Sequence, residues 1–272
     1  MTVPVRTEGG EGEFPFWLVA LAIVGAAIGA VIVLNDLYSQ VFWTVAKGLG
    51  ITILVTIVAF SLATALGLGI ALLGLSGSKF LRQAARFYIE LIRGIPILVL
   101  LFYIAFVGAP GFVHAWNWAI APLVAAGWIE PLMVRDVSLM WRAIIALMIA
   151  YSAFIAEIFR AGIQSVDKGQ IEAAKALGLS RFQRFRFIVF PQALKVIFPP
   201  LSNDFISMVK DSSLVSVLGV ADITQMAKVY AAGSFRFFET YSIVAYIYLV
   251  LTIGLSLALR QVERRMRETQ LR

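Results

Sequence analysis

Few residues in this chain are equipped for covalent chemistry. There is no cysteine and a single histidine, His114, among 272 residues. Thiol catalysis, disulfides, cysteine-ligated metals and a multi-histidine metal site are therefore excluded. His114 stands close to Trp116 and Trp118 and reads as an interfacial residue rather than a ligand. No catalytic residue and no metal site is assigned. The stretch Gly74-Leu-Ser-Gly77-Ser-Lys79 contains glycines and a lysine, but not at the spacing of a phosphate-cradling loop. What remains is binding chemistry. Glu157 and Arg160 stand three apart, and a polar run follows Pro199-Pro200: Asn203, Asp204, Ser207, Lys210, Asp211, Ser212 and Ser213. At helical spacing Asn203, Ser207 and Lys210 share one face, and Asp204, Ser207 and Asp211 the adjacent one. Lys210 could meet a carboxylate and Glu157 an ammonium. Pairing within the chain, Lys210 with Asp211 and Glu157 with Arg160, would use the same groups. Ser212 and Ser213 could line a gate or bond to helix carbonyls.

The elements that must carry these groups are membrane helices. Hydrophobic residues make up 60% of the chain and charged residues 14%, far below the charge content of a soluble domain, about 25%. Six apolar stretches stand out: Phe16 to Leu34, about Lys47 to Leu75, Ile89 to Phe112, Leu139 to Ile163, the polar and interrupted Ile188 to Val220, and Tyr241 to Leu259. The fold class is all-α, a polytopic transmembrane bundle of about six spans. Groups as polar as those after Pro200 are costly in lipid and must face protein or a water-filled cavity. Pro199 and Pro200 suit the first turn of a helix. Ala59, Ala63, Gly67 and Ala71, every fourth residue, form a face for close helix packing.

The net charge of +7 reflects basic loops, not nucleic-acid binding. Lys79, Arg82 and Arg86 follow span two. Arg160, Lys168, Lys175, Arg181, Arg184 and Arg186 follow span four, and Arg260, Arg264, Arg265, Arg267 and Arg272 follow span six. The opposite ends hold only Lys47, Arg135, Arg142, Lys228 and Arg236. Both termini are thus expected in the cytoplasm, although the first tail has only Arg6 against Glu8, Glu11 and Glu13. Span one is expected to be a retained helix rather than a cleaved signal, since its tail is not basic and its apolar run is long. Between Gly111 and Asp136, Trp116, Trp118 and Trp128 suit short interfacial helices outside.

The basic loop after span four, about residues 166–190, is too polar to be a span. Asp167 is an expected N-cap with Gln170 closing a capping box, and Gly178 a helix stop that tolerates positive φ. Ser180 and Gln183 repeat the box and open a second helix, which is expected to end before Pro191. The first helix presents Glu172, Ala173, Ala174, Lys175 and Ala176, a surface suited to another protein's groove. In the second, Phe182, Phe185 and Val189 would face the membrane domain. Spacing alone leaves a purely structural loop equally open.

Glu172-Ala173-Ala174, three residues, Gly178, nine residues, then Ile188-Val189-Phe190-Pro191 resembles the E-A-A-x3-G-x9-I-x-L-P signature of ABC importer permeases, with Phe190 where the pattern has Leu. Glu90-Leu-Ile-Arg93-Gly94-Ile95-Pro96, Ala156-Glu157 through Val166, Pro191-Gln192-Ala193, and Lys210-Asp211-Ser212-Ser213-Leu214 resemble segments of the polar amino-acid branch. Ile95, Asp167 and Ser212 replace Thr, Pro and Thr of that pattern. The resemblance covers about residues 45–265 and implies a type I ABC importer permease fold in the cell inner (cytoplasmic) membrane. It implies residues 41–272 as the permease domain and 1–40 as a tail with an extra helix. It implies a second permease subunit, identical or related, two ATPase subunits that alone bind ATP and Mg, and an extracytoplasmic substrate-binding protein. Glu172, Ala173, Ala174, Gly178 and Pro191 would couple to the ATPase. Glu157 and the polar run would line the path of a zwitterionic amino acid. A permease for another small polar solute is the nearest alternative. An ion-coupled transporter using Glu157, Asp204, Lys210 and Asp211 is the next, and the coupling-type loop stands against it.

Overall fold

The computed structural model describes residues 16–268, all of whose regular structure is helical. The tail bearing Arg6, Glu8, Glu11 and Glu13, and Arg272, lie outside the described residues. In chain order the helices are α1 (Phe16–Leu34), α2 (Asp36–Ala46), α3 (Leu49–Gly74), α4 (Lys79–Arg93), α5 (Ile97–Tyr103), α6 (Ala109–Ala119), α7 (Ala121–Ala125), α8 (Leu139–Gln164), α9 (Lys168–Ala176), α10 (Arg181–Arg184), α11 (Phe190–Asp211), α12 (Ile223–Ser234) and α13 (Phe237–Glu268).

Among the described residues, four helical stretches are long and apolar enough to cross a membrane: Asp36–Gly74, Ile97–Ala119, Leu139–Gln164 and Phe237–Met266. The apolar α1 and the polar α11 make up the expected six. Span three begins at Ile97 and not at Ile89. Gly94 and Pro96 break the chain there, because Pro96 offers no N–H and disfavours helix before it. The segment before the break is a separate amphipathic helix, α4.

The centre of the bundle is α8 against α3. The small-residue face of α3 makes this approach possible: Ala59, Ala63 and Ala71 are buried, and a Cβ on Gly67 would lie 2.9 Å from the Ser152 carbonyl oxygen. Gly162 does the same for α8 against α11, where a Cβ would come within 2.3 Å of Ile197 Cγ1. A second cluster joins α1, α2, α12 and α13 through Ile32, Val41, Val45, Ile223 and Ile243.

Two π-turns, Ile104–Gly108 and Phe185–Val189, each precede a proline by one residue. Proline removes a ladder donor and its ring crowds the carbonyl four residues back; a widened turn relieves this. At the first, Ala109 N–H bonds to Ile104 O, and Pro110 has no N–H for the Ala105 carbonyl. The buried Arg142 supplies that donor: Nη1 reaches Ala105 O at 3.1 Å, Nε reaches Val137 O at 2.8 Å, and Nη2 binds Val134 O. Arg142 thus pins the loop before α8 to span three. At the second, Pro191 does not end the preceding helix: α10, the π-turn and α11 form one continuous rod. Pro199 and Pro200 do not open a helix either; they lie inside α11.

Beyond the first π-turn, α6 runs on to Ala119, and the Asn117 side chain both donates to and accepts from the Leu132 backbone, at 2.8 and 2.9 Å. Trp116, Trp118 and Trp128 are exposed there, and His114 lies on α6.

Candidate coupling loop and polar path

The loop's geometry follows from local capping. Asp167 accepts from Gln170 N–H at 3.1 Å and opens α9. The expected return bond does not form, because Gln170 Oε1 accepts instead from Gln192 Nε2 at 2.6 Å, and that nitrogen also donates to Ile188 O at 3.0 Å. The α9 helix is therefore tied across 22 residues to the start of α11. Gly178 has φ +78°, with its N–H on Lys175 O and Leu179 N–H on Ala174 O, a glycine-terminated helix end. Ser180 and Gln183 form the full reciprocal box, at 3.2 and 2.9 Å.

On α9 the side chains of Glu172, Ala173, Lys175 and Ala176 are exposed, and so is Leu177 just after it. Ala174 turns inward and is buried, so it supports the helix rather than the outer surface. Ile171 packs with Val166, Ala193 and Ile197. Phe182 and Phe185 do not face the membrane domain: both are exposed, and only Val189 joins the interior cluster. Their spacing predicts a face that the π-turn displaces.

The polar groups divide. Tyr151 donates to Asp211 Oδ2 at 2.7 Å. Asp204 lies within electrostatic range of the same hydroxyl, and its Oδ2 is buried without a hydrogen-bond partner. Tyr151, Asp204 and Asp211 thus form one acidic cluster between α8 and α11. Lys210 does not pair with Asp211; it is exposed on another face. Asn203 lines a separate cleft with Arg260 on α13. Ser207 and Ser213 are half-buried, and Ser212 is fully buried with Oγ on Val209 O at 2.7 Å, a bond to a helix carbonyl. Glu157 pairs with Arg160 at 3.1 and 3.2 Å through Nε, and Arg160 Nη1 reaches Gln164 at 2.7 Å. Sequence spacing misses Tyr151, Arg142 and Gln192. A tyrosine or arginine inside an otherwise apolar span was the available signal for the first two; Gln192 carries no such signal.

A further polar network sits at the N-terminal end of α3. The buried Asp222 caps α12 by accepting from Gln225 N–H at 2.8 Å, and Ile223 N–H donates to Thr52 Oγ1 at 3.2 Å. A Cβ on Gly48 would overlap the Asp222 backbone, so glycine is required there.

The chain matches the family described as "Binding-protein-dependent transport system inner membrane component" over residues 63–268. It is 37% identical over 225 residues to the probable amino-acid permease protein YxeN of Bacillus subtilis, covering 83% of this chain and 92% of that protein. It is 35% identical over 221 residues to the glutamine transport system permease protein GlnP of Escherichia coli K12, covering 81% and 92%. A solved amino acid ABC transporter, crystallised with histidines, superposes with a TM-score of 0.67 at 39% identity, covering 84% of this chain and 95% of that one. The MetNI methionine ABC transporter, at 18% identity and a TM-score of 0.60, shares the fold. The chain therefore belongs to the inner-membrane component family of binding-protein-dependent transport systems, as a membrane-spanning permease.

Proposed function

We propose that this chain forms the translocation path for a polar amino acid in an ATP-driven importer, and that α9 couples it to a separate ATPase. Relatives named for amino acids and glutamine support the substrate class. The observation that carries the coupling role is mechanical. The α9 helix is capped at both ends, exposes Glu172, Ala173 and Leu177, and is bonded through Gln170 to Gln192 on the rod that includes Asp204 and Asp211. A force on α9 is thereby delivered to the path helix. ATP and Mg would bind the partner ATPase, a second permease subunit would complete the path, and an extracytoplasmic binding protein would deliver substrate. Within the path, the Tyr151–Asp204–Asp211 cluster suits the ammonium or a cationic side chain, because the orphaned Asp204 oxygen needs a donor. In this reading residues 41–272 are the permease domain, and residues 1–40 a tail with an extra helix.

The test is reconstitution with ATPase and binding protein in proteoliposomes, where uptake must require ATP. Uptake driven by an ion gradient without ATP would sink this reading. In the same system Gly178→Val would place a β-branched residue at φ +78°, at a cost of roughly 1–2 kcal/mol. The variant is expected to insert, while the ATPase activity of the assembly ceases to respond to loaded binding protein. A normal response would remove the coupling role from this turn.

A further inference from the structure

The helix α4 has two incompatible faces. Phe80, Phe87 and Leu91 are exposed along one side, as a lipid-facing surface requires. Arg82, Arg86, Glu90 and Arg93 fall on the opposite side at helical spacing. Arg93 stands three turns, about 16 Å, further along the helix than Arg82. Guanidiniums at that depth are costly against lipid and need protein or water around them.

They have both. Between α4, the end of α3 and α8 lies a cavity of about 430 Å³, lined by these four side chains and by Glu157 and Arg160. It opens at the end of the bundle that carries the coupling loop, since Gly74 and Arg160 are the last turns of α3 and α8. Four guanidiniums therefore face two carboxylates. Glu157 is taken by Arg160, and Arg82 Nη1 bonds to Ser76 O at 3.3 Å. Arg93 stacks over Phe154, its Cζ 5.3 Å from the ring centre. Among the described residues Arg86, Glu90 and Arg93 have no ion-pair partner within 4 Å.

We propose that this cavity is a binding site for an α-amino acid on the coupling-loop side, with Arg86 and Arg93 receiving the carboxylate and Glu90 the ammonium. The cationic surplus favours an anion, and Glu90, one turn from each arginine, adds the opposite charge a zwitterion needs. The cavity volume exceeds that of one amino acid, so water would remain. This site is distinct from the Tyr151–Asp204–Asp211 cluster, which has only acidic groups. In sequence of events it would hold the amino acid after that cluster and before release, and it rests on the amino-acid reading above.

The experiment uses the assembled transporter in proteoliposomes with the ATPase facing outward and with binding protein and radiolabelled L-amino acid inside. The probes added outside are L-amino acids that the system transports, and their α-carboxamides. ATP-driven release from wild type comes first, because its absence for every amino acid would defeat the functional reading and not this site. Given transport, external amino acid is expected to inhibit the wild type saturably, and the carboxamide much less. Arg86→Gln and Arg93→Gln are each expected to raise the inhibition constant about tenfold, measured against that variant's own uninhibited rate, with Arg→Lys partly restoring it. Absence of saturable inhibition, equal inhibition by the carboxamide, or unchanged constants in both glutamine variants would overturn the proposal. Loss of the permease pair in either glutamine variant, read from the mass of the complex, would assign the arginines to the subunit interface and overturn it as well.

Discussion

Asp222 caps α12 from a site with no exposed surface. Burial pushes its carboxyl above the usual range, opposed by the N–H groups of Gln225 and Thr224 and the hydroxyls of Thr224 and Tyr248 that bond to it. The folded chain thus holds the proton more tightly than the unfolded one. The cost of ionising Asp222 is absent below the unfolded carboxylate value of about 4 and fully present above the raised folded value. Asn caps as well as Asp and carries no charge. Asp222→Asn is therefore expected to unfold at an equal or higher temperature than the native chain at pH 7, with the gap closing as the pH falls toward about 4. Asp222→Ala keeps no cap and should lose about 1 kcal/mol. Thermal unfolding of the solubilised protein across that pH range measures both. A clear loss of stability for Asp222→Asn at pH 7 would mean that the bonds to the ionised carboxylate, the Tyr248 hydroxyl's included, outweigh its burial cost.

At the level of helices, the distinction is between devices built from neighbours and devices built across the chain. The Asp167 cap, the Ser180–Gln183 box and the Gly178 stop use residues within four positions, so their spacing is legible in sequence, and the structure has each of them. The spans and the small-residue face of α3 are legible for the same reason. Pro191, Pro199 and Pro200 mislead, because a widened turn and tertiary packing let one rod run from Arg181 to Asp211. The Tyr151–Asp211 bond joins residues 60 apart, and nothing local announces it. Gln170 is the instructive case: its position predicts a capping box, yet a partner 22 residues away wins its side chain. If that bond carries motion from α9 to α11, removing either end should cost the same. Gln170→Ala and Gln192→Ala are each expected to lower substrate moved per ATP hydrolysed by a similar factor, and the double variant to be no worse than either. Additive losses in the double-variant cycle would show that the two glutamines act separately.

The bundle as a whole has one basic end. The α3–α4 turn, the coupling loop and the end of α13 carry most of the lysines and arginines, and the other end carries few. Of those few, Arg142 is consumed by backbone carbonyls and is no free surface charge. The rule that cytoplasmic loops are basic then predicts the coupling loop inside, where an ATPase can reach it, and the tryptophan-rich segment outside. The absence of cysteine makes this directly testable. Gly77 in the α3–α4 turn is exposed and has open space at its Cβ, and Glu130 is exposed at the opposite end. In intact cells whose outer barrier passes the reagent, a membrane-impermeant maleimide is expected to label Glu130→Cys and not Gly77→Cys. After the inner membrane is opened, both should label. Labelling of Gly77→Cys in sealed cells would invert the bundle, put α9 on the side without ATP, and leave the coupling mechanism without a motor.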